Sequence, residues 1–294
     1  MFKGSIVAIV TPFHNGKVDE DKLRDLIDFQ IKNGTSGIVP CGTTGESATL
    51  NFDEHEKVIE VTIRHVNKRV PVIAGTGSNS TQEAIILTKQ AAGSGADASL
   101  QVSPYYNRPT QAGLYEHFKA IAQSVKIPII LYNIAGRTGV NIEPETIARL
   151  AQDCKNIVAV KEASGNLDQM SRIKALCPES FQLISGDDSL TLPVLSIGGI
   201  GIISVVANIV PRDVADLVNA FQKGDIKQAR QLHYKLLPLI KAVFIETNPI
   251  PVKTAMGLLG MCEPDLRLPM CSMQADNLEK LKKALKDYGL KELG

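Results

Sequence analysis

The feature that most narrows the fold is a regular alternation of short apolar runs with longer amphipathic ones. Apolar runs at residues 5–12, 37–41, 70–75, 97–103, 127–133, 157–163, 181–186 and 201–206 predict strands. Each is followed by a stretch with helical periodicity: 19–33, 53–66, a run opened by Ser80 or Thr81 with Glu83 in its first turn, 111–124, 143–151, 167–176, 189–197 and 212–222. That makes about eight β-α units over roughly the first 225 residues, the pattern of a (β/α)8 barrel, the TIM-barrel class of α/β proteins. A doubly wound open sheet is the structural rival, but it usually needs fewer strands and often carries a Gly-rich dinucleotide loop. Gly75-Thr76-Gly77 follows a strand, yet Ser80 stands at the third glycine position, so that fingerprint is incomplete.

After Gly224 the strand pattern stops, and residues 225–244, 251–259 and 276–288 read as helices. The expected organisation is a catalytic barrel over residues 1–224 and a small all-helical C-terminal extension over 225–294. No low-complexity linker separates them, so the extension is expected to pack on the barrel.

Bulk composition excludes several classes of function. With 44% hydrophobic and 21% charged residues and a net charge of +1, the chain of 294 residues gives no reason to expect a nucleic-acid or membrane partner. No segment is apolar for long enough to span a bilayer, and Met1-Phe2-Lys3-Gly4-Ser5 leads into a strand without a signal-peptide pattern, so a cytoplasmic protein is expected. Five scattered cysteines without a C-x-x-C pair read as buried free thiols rather than disulfides or a zinc site. His55-Glu56 opens like a zinc-protease helix, but Ile59 stands where the second histidine would be, and no metal is expected.

Within the sixth strand, Ile157-Val158-Ala159-Val160-Lys161 is an apolar run that ends in a cation. Alternation places Ile157, Ala159 and Lys161 on one face and Val158 and Val160 on the other. An amine held in an apolar wall loses hydration, which disfavours its ammonium form, and a neutral amine is a nucleophile. Taken alone, a strand-end lysine more often sends its ammonium to solvent.

Other polar residues gather where barrels of this class carry their chemistry, at the C-terminal ends of strands. Strand two ends in Gly42-Thr43-Thr44-Gly45-Glu46-Ser47, which suits a carboxylate cradle or, alone, an ordinary Gly-rich turn. Strand four ends in Tyr105-Tyr106, whose side chains point opposite ways on an extended chain, so each serves either a pocket or aromatic packing at an interface. In strand five, Tyr132 shares a face with Ile130 and can relay protons. Arg137 follows on a Gly-flanked loop, where it can grip a carboxylate with two hydrogen bonds or make a surface salt bridge. Strand seven ends in Gly186-Asp187-Asp188. The adjacent acids argue against a phosphorylated ligand, and Asp188 is expected to cap the next helix. A desolvated amine, a phenol, a hydroxyl cradle and an arginine suit a keto acid, whose imine is its own electron sink, with no metal or organic cofactor.

These residues resemble the 4-hydroxy-tetrahydrodipicolinate synthase (dihydrodipicolinate synthase) family, within the pyruvate-dependent class I aldolase superfamily. The likeness runs from Gly4-Ser5-Ile6-Val7-Ala8-Ile9-Val10-Thr11-Pro12 to Leu266-Arg267-Leu268-Pro269-Met270. Its most specific stretches are 42–50, 104–109 and Lys161-Glu162-Ala163-Ser164-Gly165. The resemblance implies a Schiff base between Lys161 and pyruvate, with Tyr132 shuttling protons. Thr43 is implied to link Tyr132 to Tyr106, which reaches across a tight dimer interface. Thr44 is implied to hold the pyruvate carboxylate and Ile203 to contact pyruvate, with Gly186 counted among the substrate-binding positions. Arg137 is implied to guide the carboxylate of L-aspartate 4-semialdehyde. Ser47, Ala48, His55, Asn79, Glu83 and Tyr105 match an inhibitory L-lysine site at the dimer interface, with Glu83 facing the ammonium. Phe52 stands where inhibited relatives often carry histidine, so inhibition of moderate strength is expected. Ala135-Gly136 replaces the usual Pro-Ser before the arginine, which implies a more flexible loop. A homotetramer built as a dimer of dimers is implied as well.

The closest alternative is N-acetylneuraminate lyase or a 2-keto-3-deoxy sugar acid aldolase on the same scaffold. The Thr43-Thr44 doublet and Arg137 in Arg-Thr-Gly favour the synthase. A non-catalytic ligand sensor keeping the barrel is opposed by the intact Lys161, Tyr132 and Thr43.

Overall fold

In the computed structural model, which describes residues 2–291, eight parallel strands curl into a barrel wrapped by helices. β1 (Gly4–Ala8) leads through a short hairpin, β2 (Phe13–His14) and β3 (Lys17–Val18), to α1 (Glu20–Lys32). Then come β4 (Gly37–Val39), α2 (Phe52–Val66), β5 (Ile73–Gly75), α3 (Thr81–Ser94), β6 (Ala98–Val102) and α4 (Gln111–Ser124). β7 (Ile129–Asn133) runs into a single helical turn, α5 (Ala135–Thr138), and then α6 (Pro144–Asp153). β8 (Ile157–Glu162), α7 (Leu167–Leu176), β9 (Gln182–Ser185), α8 (Thr191–Ser196), β10 (Gly201–Ser204) and α9 (Pro211–Gln222) complete the ring. Strand neighbours follow the order β4-β1-β10-β9-β8-β7-β6-β5.

The seam between β4 and β5 closes the barrel. Ile38 bridges Val72, the Ile38 amide donates to the Pro71 carbonyl at 3.0 Å, and the Gly75 amide donates to the Pro40 carbonyl at 3.0 Å. A Cβ on Gly75 would lie 2.2 Å from the Cys41 carbonyl oxygen. Gly75 therefore serves the close approach of two strands, which accounts for the incomplete dinucleotide fingerprint.

Two apolar layers sandwich the strands. Ile6, Ala8, Val39, Ile73, Leu100, Ile130, Tyr132, Ala159, Ile184 and Ile203 fill the barrel interior. Ile129, Leu131, Ile157, Val160 and Leu183 pack outward against Phe118, Ile147 and Ile173 of the surrounding helices. Ile157 thus lies on the face opposite the one that strict alternation assigns it. The register between β7 and β8 shifts there, pairing Ile129 with Ile157 but Ile130 with Ala159. Val158 is the extra residue and packs on the interior cluster. Beyond the irregularity, Ala159 keeps its place on the interior face.

The C-terminal helices α10 (Ile226–Val243), α11 (Ile250–Leu258) and α12 (Ala275–Tyr288) share one apolar core with the barrel. Leu236, Leu239, Val252, Met256 and Leu281 join the cluster that contains Val10, Ile27, Val58 and Val214. Among the described residues, no helix is long and apolar enough to cross a membrane.

Candidate active site

Lys161 sits near the C-terminal end of β8 and is only 5% exposed. Its Nζ lies 4.0 Å from the centroid of the Tyr132 ring, on the neighbouring strand at the paired register position. On the other side its register partner is Ile184 of β9. Among the described residues Lys161 Nζ forms no hydrogen bond and no ion pair. The adjacent carboxylate is engaged elsewhere: Glu162 accepts from the Ser164 amide at 2.8 Å and from Gln169 Nε2 at 3.0 Å. Ile203 of β10 belongs to the same interior cluster as Tyr132, Ala159 and Ile184. Gly186 borders the lysine stem, because a Cβ there would come within 3.1 Å of Lys161 Cγ and Cε. An amine with apolar and aromatic neighbours and no ion-pair partner among the described residues is placed to attack a carbonyl.

The loop after β4 carries the hydroxyl pair. Thr44 is buried, and its Oγ1 accepts from Asn248 Nδ2 at 3.0 Å. The loop is tied down on both sides: Thr11 Oγ1 donates to the Gly45 carbonyl at 2.7 Å, and the left-handed Glu46 pairs with Lys253 of α11 at 2.7 Å. Both partners of that ion pair are buried, and Glu46 also accepts from the Arg267 amide at 3.1 Å. Arg137 does not sit on an open loop. It lies in α5, a helical turn closed by Gly139, and its Nη2 donates to the Asn248 carbonyl at 3.0 Å.

A cavity of about 510 Å³ opens between these elements. Thr43, Arg137, Thr138 and Asn248 line one part. Ser47, Ala48, His55, Glu83, Tyr105 and Phe52 line another. Lys161 and Tyr132 are not in its wall. Asn79 is not in the wall either, but its side chain donates to the Tyr105 carbonyl at 3.2 Å. Glu83 accepts a hydrogen bond from the buried Ser78 hydroxyl. Burial pulls His55 below the ordinary histidine range, opposed by its contact with the Gly75 backbone and by Glu83.

A family model for the Dihydrodipicolinate synthetase family matches residues 1–288. This chain belongs to that family. The 4-hydroxy-tetrahydrodipicolinate synthase of Endomicrobium trichonymphae is 62% identical over 290 residues, covering 99% of both chains. The crystal structure of dihydrodipicolinate synthase from Aquifex aeolicus superposes with a TM-score of 0.98 at 54% identity over the full length of both chains. The chloride-inhibited dihydrodipicolinate synthase from Acinetobacter baumannii, solved in complex with pyruvate, has a TM-score of 0.96 at 45% identity, covering 99% of this chain and 100% of that one.

Within the frame of a dihydrodipicolinate synthetase family member, the fold brings Lys161, Tyr132, Ile203 and Gly186 together in the barrel, and Thr43, Thr44 and Arg137 along its rim. Tyr106 does not join them within one chain. It is 90% exposed at a φ of +72°. No hydrogen bond links Thr43, Tyr132 and Tyr106 among the described residues.

Asp188 is not the helix cap expected of it. Asp187 plays that part, accepting from the Ser189 amide at 3.0 Å. Asp188 is buried, accepts from the Ser204 hydroxyl at 2.5 Å and the Val205 amide at 2.9 Å, and so anchors the chain just after Ile203. Burial pushes its carboxyl up to about 6, held back by the Ser204 hydroxyl and the Val205 and Val206 amides, with Asp187 pushing the same way as burial.

Sequence reasoning missed Asn248, Ser78, Pro249 and Met270, which all line the cavity. Only Asn248 left a trace, in the Asn-Pro turn signal ahead of α11.

Proposed function

We propose that this chain condenses pyruvate with L-aspartate 4-semialdehyde to give 4-hydroxy-tetrahydrodipicolinate, the first committed step toward diaminopimelate and lysine. The observation that carries the reading is the buried Lys161 amine against the Tyr132 ring, with no ion pair among the described residues. Lys161 Nζ attacks the ketone carbon of pyruvate, and loss of water leaves an imine. The protonated imine withdraws electrons, so a proton leaves the methyl carbon and an enamine forms. That carbon attacks the aldehyde carbon of the second substrate, and the resulting alkoxide takes a proton to become the 4-hydroxyl. The amino group of the second substrate then attacks the imine carbon, closes the ring and expels the Lys161 amine. Tyr132 carries protons to and from the carbinolamine, with Thr43 and a partner subunit's tyrosine at position 106 completing the path to solvent. Thr44 holds the pyruvate carboxylate, Ile203 and Gly186 shape the space around pyruvate, and Arg137 receives the carboxylate of the aldehyde. The imine itself is the electron sink, so the chemistry needs no metal or organic cofactor.

The 90% exposure of Tyr106, with its neighbour Tyr105 and the Phe52 of the same cavity wall exposed as well, supports a homodimer face within a homotetramer of two dimers. The cavity end lined by Ser47, Ala48, His55, Glu83 and Tyr105, braced by Asn79, takes L-lysine as an inhibitor, Glu83 meeting its ammonium. The enzyme works in the cytoplasm.

Intact-protein mass spectrometry after pyruvate and borohydride tests the reading. A pyruvate-derived mass on the wild type and none on Lys161→Ala is expected. An unmodified wild type, or an adduct that persists in Lys161→Ala, overturns it. Turnover of pyruvate with aspartate semialdehyde, against cleavage of sialic acid, then fixes the second substrate.

A further inference from the structure

Asn248 lies between α10 and α11, 111 residues along the chain from Arg137 and 204 from Thr44. It is 4% exposed and lines the cavity. Two different parts of it hold two different groups of the site. Its main-chain oxygen accepts from Arg137 Nη2, and its side-chain Nδ2 donates to Thr44 Oγ1, both at 3.0 Å.

We infer that the Asn248 side chain is a positioning residue that makes Thr44 a hydrogen-bond donor to the substrate carboxylate. A hydroxyl has one proton and two lone pairs. The Asn248 amide occupies a lone pair of Thr44 Oγ1, and no other hydrogen bond of that hydroxyl exists among the described residues. Its proton is therefore left for a further acceptor, which in the proposed reaction is a carboxylate oxygen of pyruvate. Thr44 is the one partner of the Asn248 amide side chain among the described residues, and Asn248 Oδ1 is buried without one. An acceptor turned toward Thr44 would take the hydroxyl proton instead, and Asn248→Asp tests that arrangement.

The same residue separates the two carboxylate sites. Arg137 is held by the backbone of Asn248 and Thr44 by its side chain. A side-chain substitution removes the second contact and leaves the atoms of the first in place. The backbone is fixed independently: the Ile250 amide donates to the Thr247 carbonyl at 2.9 Å, the Lys253 amide to the Pro249 carbonyl at 3.0 Å, and Lys253 is locked to Glu46.

This inference rests on the proposed reaction, in which Thr44 meets pyruvate and Arg137 meets the aldehyde. The test measures borohydride trapping of Lys161 against pyruvate concentration in wild type, Asn248→Ala, Thr44→Val and the double variant. It also measures KM for each substrate. Asn248→Ala should raise the half-saturating pyruvate concentration on the order of tenfold, as loss of support for a bond to a charged group does. The KM for the aldehyde should stay within about twofold. The double variant should bind pyruvate no more weakly than Thr44→Val alone, because Asn248 acts only through that hydroxyl. Asn248→Asp keeps the shape but offers an acceptor to Thr44, so it should weaken pyruvate at least as much as alanine does. Additive losses in the double variant, a matching rise in both KM values, or wild-type pyruvate saturation in Asn248→Asp would each overturn the inference. A wild type that takes up no pyruvate at Lys161 instead sinks the reaction on which it rests.

Discussion

Tyr132 and Lys161 occupy paired positions on adjacent strands, with the amine 4.0 Å from the centre of the phenol ring. The ring walls the amine with an aromatic face, and in the proposed reaction its hydroxyl also carries protons. Tyr132→Phe keeps the wall and removes the hydroxyl. Its kcat should fall by about 10²–10⁴-fold, the usual worth of a positioned acid-base group, while borohydride still traps pyruvate on Lys161 more slowly. Tyr132→Ala should lose trapping as well. Equal kcat in Tyr132→Phe and wild type would remove the phenol from the proton path.

Gly186 owes its place to the stem of the same lysine. An added Cβ meets Ala163 Cβ at 2.8 Å and Lys161 Cγ and Cε at 3.1 Å. Gly186→Ala should displace the amine, lowering the trapping rate by about tenfold or more, and overpacking should cost about 1–3 kcal/mol of stability. Gly93→Ala, where a Cβ meets open space on α3, serves as the control. Trapping at wild-type speed in Gly186→Ala would mean that the lysine stem has room to spare.

The barrel was legible because the strands are short apolar runs, and several helices advertise their start with a capping side chain, as at Ser80, Thr110 and Asn166. Gln111–Ser124 and Leu167–Leu176 coincide with the predicted bounds. Alternation failed at Ile157 and Val158, where an inserted residue leaves no mark in composition. Lys161, Tyr132, Thr44 and Arg137 stood out because a polar residue ending an apolar run is conspicuous. Asn248 and the Glu46–Lys253 pair did not, since their meaning lies in contacts across roughly 200 residues of chain, and no local period encodes such a contact. Asp188 was misjudged because two adjacent acids offer the same cap chemistry, and only burial tells them apart.

Asp188 gives the fold a calculable response to pH. Its folded-state carboxyl titrates at about 6, above the ordinary value of 3.8. The folded state thus binds this proton more tightly than the unfolded state does. The associated stability is fully present below about pH 4 and is lost as pH rises through 6, amounting to about 3 kcal/mol once both states are ionised. Asp188→Asn carries no such charge. Its melting temperature relative to wild type should therefore become more favourable between pH 5 and pH 8, read by thermal denaturation at both. A difference that does not change with pH would show that the Ser204 and backbone donors fully offset burial.

Glu83 lines the cavity end assigned to L-lysine, and it already accepts from Ser78. An arriving ammonium must share it. Glu83→Gln should raise the L-lysine concentration for half inhibition by about tenfold or more, the loss expected for a charged hydrogen bond. Ser78→Ala, which releases the carboxylate, should lower it. Saturating L-lysine that leaves the wild-type rate untouched would dismiss the site.

The buried pair between Glu46 and Lys253 links the Thr43-Thr44 loop to α11, and so couples fold stability to the carboxylate cradle. Lys253 is fully buried, and burial lowers its proton affinity even with Glu46 opposing the effect. Its Nζ also lies 4.2 Å from the centre of the Phe13 ring. Lys253→Met takes the ion-pair partner from the buried Glu46 and leaves it the Arg267 amide as a hydrogen-bond donor, a loss of about 3–5 kcal/mol. Adding Glu46→Gln removes the stranded charge and should recover a large share of that stability in urea titrations. Pyruvate half-saturation should not recover with it, because α11 no longer draws Asn248 against Thr44 through this contact. Recovery of both together would mean that the ion pair serves the fold alone.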